Sequence, residues 1–116
     1  MDHQRARDLV AAERRRIEAS LRALTGDIGS EALVQDQQAG EHDAGSELAT
    51  EMVEDALVAD MRADLAAVVR AEERIAAGTY GRSVESGAII PDERLEVEPL
   101  AERTVEEQAR LDRSIR

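Results

Sequence analysis

At 116 residues and a formal charge of −11, the chain can form one small domain and is poorly suited to bind nucleic acid directly, because phosphate binding requires a positive surface. It contains no cysteine, which excludes disulfides, thiolate zinc sites and cysteine nucleophiles. No apolar run approaches the roughly 18 residues of a membrane span, and the first residues lack the apolar core of a signal peptide. We therefore expect a cytoplasmic protein without membrane contact.

Two amphipathic helices are predicted from the apolar spacing. The first spans about Asp2 to Thr25 and ends at Gly26, with an apolar stripe formed by Val10, Ile17, Leu21 and Leu24. The second spans about Ser46 to Ala77, with Gly78 as its C-terminal cap. Its apolar residues recur every three to five positions and are expected in the core: Leu48, Met52, Leu57, Met61, Leu65, Val68 and Ile75.

The two helices are predicted to pair antiparallel, because so long an amphipathic helix needs a partner. One register pairs Val10 with Val68, Ile17 with Met61, and Leu21 with Leu57. The charges fit this register, with the arginines at 14–16 near Asp60 and Asp64, and Arg5 and Arg7 near Glu72 and Glu73. Exposed ion pairs contribute only about 0 to 1 kcal/mol each, so they select the register more than they stabilise it.

The segment between the helices, residues 26–45, is predicted to form the tip of a hairpin, with a short helix over Ser30–Gln38 as an option. Residues 26–64 hold eleven acidic residues and one arginine, so the negative charge is concentrated at the tip and on the arm behind it. We expect partner binding at Glu41, His42, Asp43 and Glu47. The alternative is a solvated acidic face; a metal or catalytic role for His42 is disfavoured, since no second histidine lies nearby.

A dense motif follows Gly78: G-T-Y-G-R-S-V-E-S-G at 78–87, I-P-D-E-R-L-E at 90–96, a proline at 99, and T-V-E-E at 104–107. This segment resembles the zinc-finger module of the DksA/TraR family, whose pattern runs G-T-Y-G-x-C-x-x-C-G, then I-P-x-x-R-L-E, a proline and a second C-x-x-C. The match holds one register over about thirty residues. The resemblance implies a helical hairpin, residues 1–77, followed by a zinc-finger-like module with a short C-terminal helix, residues 78–116. The expected fold class is mostly α.

The chain departs from the family at all four metal-ligand positions, which hold Ser83, Ser86, Thr104 and Glu107. Neutral hydroxyls and one carboxylate cannot replace thiolates at a tetrahedral zinc site, so we predict no zinc and no other cofactor. Thr104-Val105-Glu106-Glu107 instead has the pattern of a helix capping box. Burial of the apolar residues of the module is expected to supply the remaining stability: Tyr80, Ile89, Ile90, Leu95, Val97, Leu100 and Val105.

The resemblance implies a non-catalytic bacterial transcription regulator that binds RNA polymerase through its secondary channel and acts with its acidic tip. No catalytic residue is predicted, because neither Ser83 nor Ser86 has a histidine base nearby. In the family's tip motif, D-x-x-D-x-A, only Asp43 matches, since Gly40 and Gly45 occupy the first aspartate and the alanine positions. The alternative is a metal-free interaction module that has lost polymerase function and binds another basic partner or self-associates. We expect a monomer, with a dimer as the other outcome.

Overall fold

The computed structural model describes residues 1–26 and 44–115, and for residues 44–48 the backbone alone. Within these ranges the chain forms four helices: α1, His3–Thr25; α2, Ala44–Ala77; α3, Asp92–Val97; and α4, Val105–Ile115. The mostly helical fold class is therefore confirmed. The predicted tip helix over Ser30–Gln38 lies outside the described residues.

Helix α1 begins and ends as its sequence predicts. The Arg5 N–H donates to the Asp2 carboxylate at 3.1 Å, so Asp2 caps the first turn. At the other end, the Gly26 N–H donates to the Arg22 carbonyl at 2.8 Å, and Gly26 has a φ of 77°. A positive φ carries no steric cost in glycine, which explains why the helix ends there.

Helix α2 has 34 residues and would be about 50 Å long at the usual rise per residue. It begins at Ala44, two positions before the predicted start, and ends at Ala77 as predicted. Gly78, with a φ of 77°, closes the helix, and the Thr79 N–H donates to the Arg74 carbonyl at 2.8 Å. No helix in the described ranges has an uncharged apolar stretch of membrane-spanning length.

The segment after Gly78 is built from tight turns and two short helices. Arg82 and Ile89 form an isolated antiparallel bridge, and the Ile90 N–H donates to the Gly81 carbonyl at 2.8 Å. Helix α3 follows Pro91, with acidic residues in its first turn, and buries Leu95 completely. Leu95 lies 3.6 Å from where a side chain on Gly81 would begin, and Gly81 has a φ of 88°, so this position favours glycine.

The chain packs as two compact units. The first unit comprises Met1–Glu13 and Ala67–Arg116, and the second comprises Arg14–Ala66. The first unit holds most of the buried apolar side chains: Ala6, Val10, Val68, Ala71, Ile75, Ile90 and Leu95. In the second unit, Ile17 is buried, and Val58, Met61 and Leu65 are half-buried. The predicted domain boundary at 77/78 coincides with the end of α2 and otherwise stays a prediction.

Within the first unit, the beginning of α1 lies beside the end of α2. A groove of about 450 Å³ is lined by His3, Arg7, Val10 and Ala11 from α1 and by Glu72, Ile75 and Ala76 from α2. The two helices are therefore antiparallel there, as the hairpin prediction requires. Arg7 lies on the same groove as Glu72, and Val10 and Val68 are both buried, which agrees with the predicted register.

Two apolar residues predicted in the core of α2 are exposed instead. Met52 is 65% exposed and Leu57 is 41% exposed, so their assignment to the core was wrong. Met52 precedes Met61 by nine residues, which is two and a half helical turns, so the two side chains lie on opposite sides of α2. Selecting apolar residues that are three to five positions apart therefore grouped residues from two different faces of α2.

Three apolar residues predicted in the core of the zinc-finger-like module are also exposed: Ile89, Val97 and Val105. Ile89 adjoins the buried Ile90 in extended backbone, where successive side chains point to opposite sides. Val97 ends α3, two residues after the buried Leu95, and is therefore more than half a turn away from it. Val105 begins α4, whose buried residue is Glu107. Ile90 and Leu95 are buried as predicted, and Tyr80 and Leu100 are half-buried.

Candidate functional site

The loop over residues 83–88 surrounds one buried serine hydroxyl. The Ser83 Oγ accepts hydrogen bonds from the N–H groups of Glu85 at 3.1 Å and Ser86 at 3.2 Å. The Gly87 N–H donates to the Ser83 carbonyl at 2.9 Å, and Gly87 takes a positive φ of 77° to complete the turn. Side-chain to backbone bonds of this type are a standard use of serine in turns. The loop therefore converges on the first of the four positions that the resemblance assigns to zinc ligands.

Glu107 on α4 connects this loop to the C-terminal helix. Its side chain is buried, and its carboxylate accepts hydrogen bonds from the hydroxyls of Ser83 and Ser86. It also accepts the Thr104 N–H at 2.9 Å. The four family ligand positions, Ser83, Ser86, Thr104 and Glu107, thus lie together and form what we call the hydroxyl–carboxylate cluster.

The predicted capping box at the start of α4 is confirmed. The Glu107 N–H donates to the Thr104 Oγ1 at 3.2 Å, while the Glu107 Oε1 accepts from the Thr104 N–H. This reciprocal pair satisfies two backbone N–H groups that a helix N-terminus would otherwise leave without partners. Glu107 therefore has two roles, as part of the helix cap and as the acceptor for the serines of the loop.

The donors around Glu107 favour its ionised form. The hydroxyls of Ser83 and Ser86, followed by the backbone N–H of Thr104, lower the pKa of Glu107 to about 2 from an ordinary value of 4.5, and burial opposes this shift. Hydrogen bonds to a carboxylate stabilise the charged form. A buried carboxylate is tolerated here because several donors replace the water it has lost.

The donor set of the cluster does not fit a zinc ion. Three of the four positions offer neutral hydroxyls, and the single carboxylate already accepts hydrogen bonds from both serines and from Thr104. Structural zinc sites depend on thiolate and imidazole ligands. Across residues 1–26 and 44–115, no group of three or more histidine, aspartate or glutamate side chains is arranged to hold a metal ion.

A second carboxylate, Glu102, joins this module to α2 within the first unit. Arg70 donates to it from Nε at 3.0 Å and from Nη2 at 3.2 Å, and Arg74 donates from Nη1 at 3.0 Å. Hydrogen bonding and charge from Arg70, with further charge from Arg74 and Arg103, lower the pKa of Glu102. The Glu102 carbonyl also accepts the Val84 N–H at 2.9 Å, which ties the loop to the same segment.

The role of Glu102 could not be predicted from the sequence. The only local signal is that Arg70 and Arg74 are four residues apart, and so share one face of α2 just before its end. Such a pair indicates that an anion is needed nearby. No spacing in the sequence indicates which carboxylate this is, because Glu102 lies 28 to 32 residues further along the chain.

A third ion pair differs from the one predicted for Arg5. Arg5, expected near Glu72 and Glu73, makes a two-pronged contact with Glu96 at the end of α3, including Nε to Oε1 at 2.9 Å. This contact lowers the pKa of Glu96. Arg14 forms an ion pair with Glu18 on its own helix at 3.6 Å, and its proximity to Asp60 and Asp64 stays a prediction. The Glu96 contact thus replaces the partner that the hairpin register suggested for Arg5.

Tyr80 serves as a core anchor, as predicted. The ring is half-buried, and its hydroxyl donates to the Pro99 carbonyl at 2.7 Å. Burial is the main cause that raises the pKa of Tyr80 to about 12. A buried tyrosine normally finds a partner for its hydroxyl. Tyr80 thereby fastens the turn after α2 to the segment that follows α3.

The predicted partner-binding residues at the tip are not part of this cluster. Glu41, His42 and Asp43 lie outside the described residues, and Glu47 lies in the first turn of α2 with only its backbone described. Further along α2, the side chains of Glu51 and Asp55 are exposed. Their partner-binding role remains a prediction.

No protein-family model matches the sequence, and no curated protein matches it either. Among solved structures, the chain is similar to the transcription factor DksA2 from Pseudomonas aeruginosa, with a TM-score of 0.76. The two sequences are 24% identical, and the match covers 97% of this chain and 84% of that chain. A likeness at this level of identity establishes the fold. The chain therefore has a DksA-like fold, although it lacks the four cysteines of the family pattern. At the level of the fold, this confirms the resemblance that the motif indicated.

Proposed function

We propose that this chain is a non-catalytic bacterial transcription regulator that binds RNA polymerase through its secondary channel and presents an acidic hairpin tip to the active centre. It would act in the cytoplasm, without zinc and without direct contact to nucleic acid. The tip residues assigned to this role are Glu41, His42, Asp43 and Glu47.

The DksA-like fold, which extends over 97% of the chain, is the observation that carries the proposal. A solved structure with this fold is that of a transcription factor. The charge distribution supports a protein partner, because an arm with eleven acidic residues and one arginine between residues 26 and 64 repels nucleic acid and attracts basic protein surfaces. The hydroxyl–carboxylate cluster supports the zinc-free part of the proposal.

In vitro transcription with purified bacterial RNA polymerase tests this function. We expect the wild-type chain to co-elute with polymerase and to change the lifetime of promoter complexes. Asp43→Asn should weaken the effect on promoter complexes more than it weakens binding, because it removes a charge at the tip and leaves the helices intact. The control is Glu106→Gln, an exposed acidic residue on α4, which should behave as wild type. Unchanged initiation together with no co-elution would contradict the proposal.

A second candidate is a metal-free interaction module that binds a different basic protein or self-associates. It is favoured by the tip sequence, in which Gly40 and Gly45 replace the family's first aspartate and its alanine. In that case, the wild-type chain would form a dimer in light scattering, or bind a basic protein other than polymerase in a salt-sensitive manner.

A further inference from the structure

The groove between α1 and α2 in the first unit has the size of a small-molecule binding site. Its volume is about 450 Å³, and ligand pockets in proteins usually measure about 300 to 1,000 Å³. None of its residues belongs to the hydroxyl–carboxylate cluster or to the predicted tip. We call this cavity the helix groove, and its lining comprises His3, Arg7, Val10, Ala11, Glu72, Ile75 and Ala76.

The floor of the helix groove is apolar. Val10 and Ile75 are buried, at 1% and 8% exposure, and Ala11 beside them is half-buried. Ala76 completes this surface from α2. The alanine side chains leave open the space that a leucine at position 11 would fill. An apolar occupant would therefore remove apolar surface of both helices from water, which favours binding.

A cationic side chain borders this floor. Arg7 is exposed and forms no ion pair within residues 1–26 and 44–115, whereas Arg5 is bound by Glu96. Glu72, on the other edge of the groove, already has a polar or electrostatic interaction within the chain. His3 lies four residues before Arg7, and so on the same side of α1. Arg7 is therefore the charge at the groove that remains to be paired.

These features together select an apolar monoanion. An arginine binds a carboxylate through two parallel hydrogen bonds, and the floor accommodates an alkyl chain. A nucleotide or another polyanion would bring several charges to a groove with one such arginine and with Glu72 on its rim. The excess negative charge of the chain lies mostly elsewhere, because residues 14–66 hold twelve acidic residues against five arginines, or −7 of the total of −11.

We propose that the helix groove binds a medium-chain aliphatic carboxylate, with the alkyl chain over Val10, Ala11 and Ile75 and the carboxylate on Arg7. This inference goes beyond the proposed function and does not depend on it. Because the ligand contacts α1 and α2 at once and requires them to be folded, its binding would stabilise their pairing in the first unit.

The experiment titrates decanoate, below the concentration at which it forms micelles, into the full chain and follows methyl resonances by NMR. We expect saturable shifts at Val10 and Ile75, which line the groove, and none at Ile115, which is 76% exposed and lies outside it. The thermal midpoint should rise with the decanoate concentration. Shifts of equal size at Ile115 would indicate nonspecific adsorption and would overturn the proposal.

Two pairs of matched variants test the floor and the edge of the groove. Ala11→Leu fills the groove and should weaken decanoate binding at least about tenfold, whereas Ala12→Leu, at the exposed neighbour outside the groove, should bind as wild type. Arg7→Gln should weaken binding about tenfold, and Arg15→Gln should leave it unchanged. Arg7 is exposed, so Arg7→Gln should keep the wild-type thermal midpoint and tests the proposal even if Ala11→Leu does not fold.

Decyltrimethylammonium serves as a probe of opposite charge and equal chain length. We expect it to bind at least about tenfold more weakly than decanoate and to be insensitive to Arg7→Gln. Equal or tighter binding of this cation would overturn the proposal, as would equal decanoate affinity of wild type and Ala11→Leu. A wild-type dimer that Ala11→Leu converts to monomer would overturn it in favour of a second copy in the groove. None of these outcomes bears on polymerase binding, so the proposed function stands or fails separately.

Discussion

The two units of the chain use carboxylates in different ways. In the first unit, Glu107 and Glu102 are surrounded by donors from the chain itself, and these donors lower the pKa of both. In the second unit, Glu51 and Asp55 are exposed and lie four residues apart on one helix, where like charges oppose each other. A carboxylate enclosed by donors stabilises its module, whereas an exposed one does not stabilise the fold and remains available to a partner.

The strongest test of this contrast restores the family's ligands. The combined variant Ser83→Cys, Ser86→Cys, Thr104→Cys and Glu107→Cys should bind one Zn²⁺ per chain, because the four positions converge and thiolates supply the affinity that hydroxyls lack. Metal analysis and thermal midpoints with and without a chelator measure the effect. The wild-type chain, as control, should contain no stoichiometric zinc and should keep its midpoint in the chelator. A quadruple variant without zinc would mean that these positions do not converge.

Removing the enclosed carboxylate should have the largest effect of any single substitution considered. Glu107→Ala leaves the hydroxyls of Ser83 and Ser86 and the Thr104 N–H without their acceptor, and it breaks the capping box. We expect the thermal midpoint to fall by several degrees. The control, Glu106→Ala, changes the exposed neighbour in the same turn and should leave the midpoint near that of wild type. Equal midpoints for the two variants would show that the cluster does not stabilise the module.

The lowered pKa of Glu107 predicts how the stability of the chain depends on pH. The pKa of Glu107 is about 2 in the folded chain and 4.5 as an ordinary value, so the unfolded chain takes up a proton that the folded chain resists. The contribution of the Glu107 carboxylate to the free energy of unfolding is therefore complete above about pH 5, and it is lost as the pH falls from about 4.5 towards 2. Urea unfolding of wild type and Glu107→Gln at several pH values isolates this group. The difference in the free energy of unfolding between wild type and Glu107→Gln should become smaller on acidification. A difference that does not change with pH would contradict the prediction.

A substitution of Glu102 should destabilise the chain less than the substitution of Glu107. Glu102→Gln removes the charge shared by Arg70 and Arg74, and the side chain of Arg74 is only 12% exposed. Loss of an ionic partner for a mostly buried group costs about 1 to 3 kcal/mol, and urea unfolding would measure it. Arg70 is about half exposed, so Arg70→Gln should cost less than Glu102→Gln. If the order is reversed, Arg74 does not depend on Glu102.

The smallest effect should come from the exposed arm. Asp55→Asn relieves the repulsion between Asp55 and Glu51, and should raise the free energy of unfolding by a few tenths of a kcal/mol, of order 0.2 to 0.5. Thermal unfolding at low salt measures this change, and about 1 M salt should abolish it. A clear loss of stability would show that Asp55 has a structural partner, and would weaken the contrast between the two units.

Much of the fold could be predicted because local signals specify it. The ends of α1 and α2 were placed correctly from Gly26 and Gly78, since a glycine with positive φ at a helix end is a local requirement. The capping box was likewise predicted from the spacing of Thr104 and Glu107. Convergence of Ser83, Ser86, Thr104 and Glu107 was implied by the resemblance of the motif to the family pattern.

The rest depends on contacts that no local pattern encodes. The partners of Glu102 and Glu96 lie on the long helices, 32 and 91 residues away in sequence. The exposure of Met52 was missed because the apolar residues of α2 occupy two faces, so a simple count of spacings cannot separate them. Helix α3 was also missed, although Pro91 with acidic residues in the following turn is a recognisable helix start.

The double role of Glu107 links two parts of the chain that are separate in sequence. With 11 residues, α4 is too short to be stable as an isolated helix, so its cap and its packing maintain it. Opening the serine loop removes donors from the residue that caps α4, and unwinding α4 removes the acceptor from the loop. Each event therefore makes the other easier, and any molecule that holds α4 in place would hold the loop closed by the same coupling free energy.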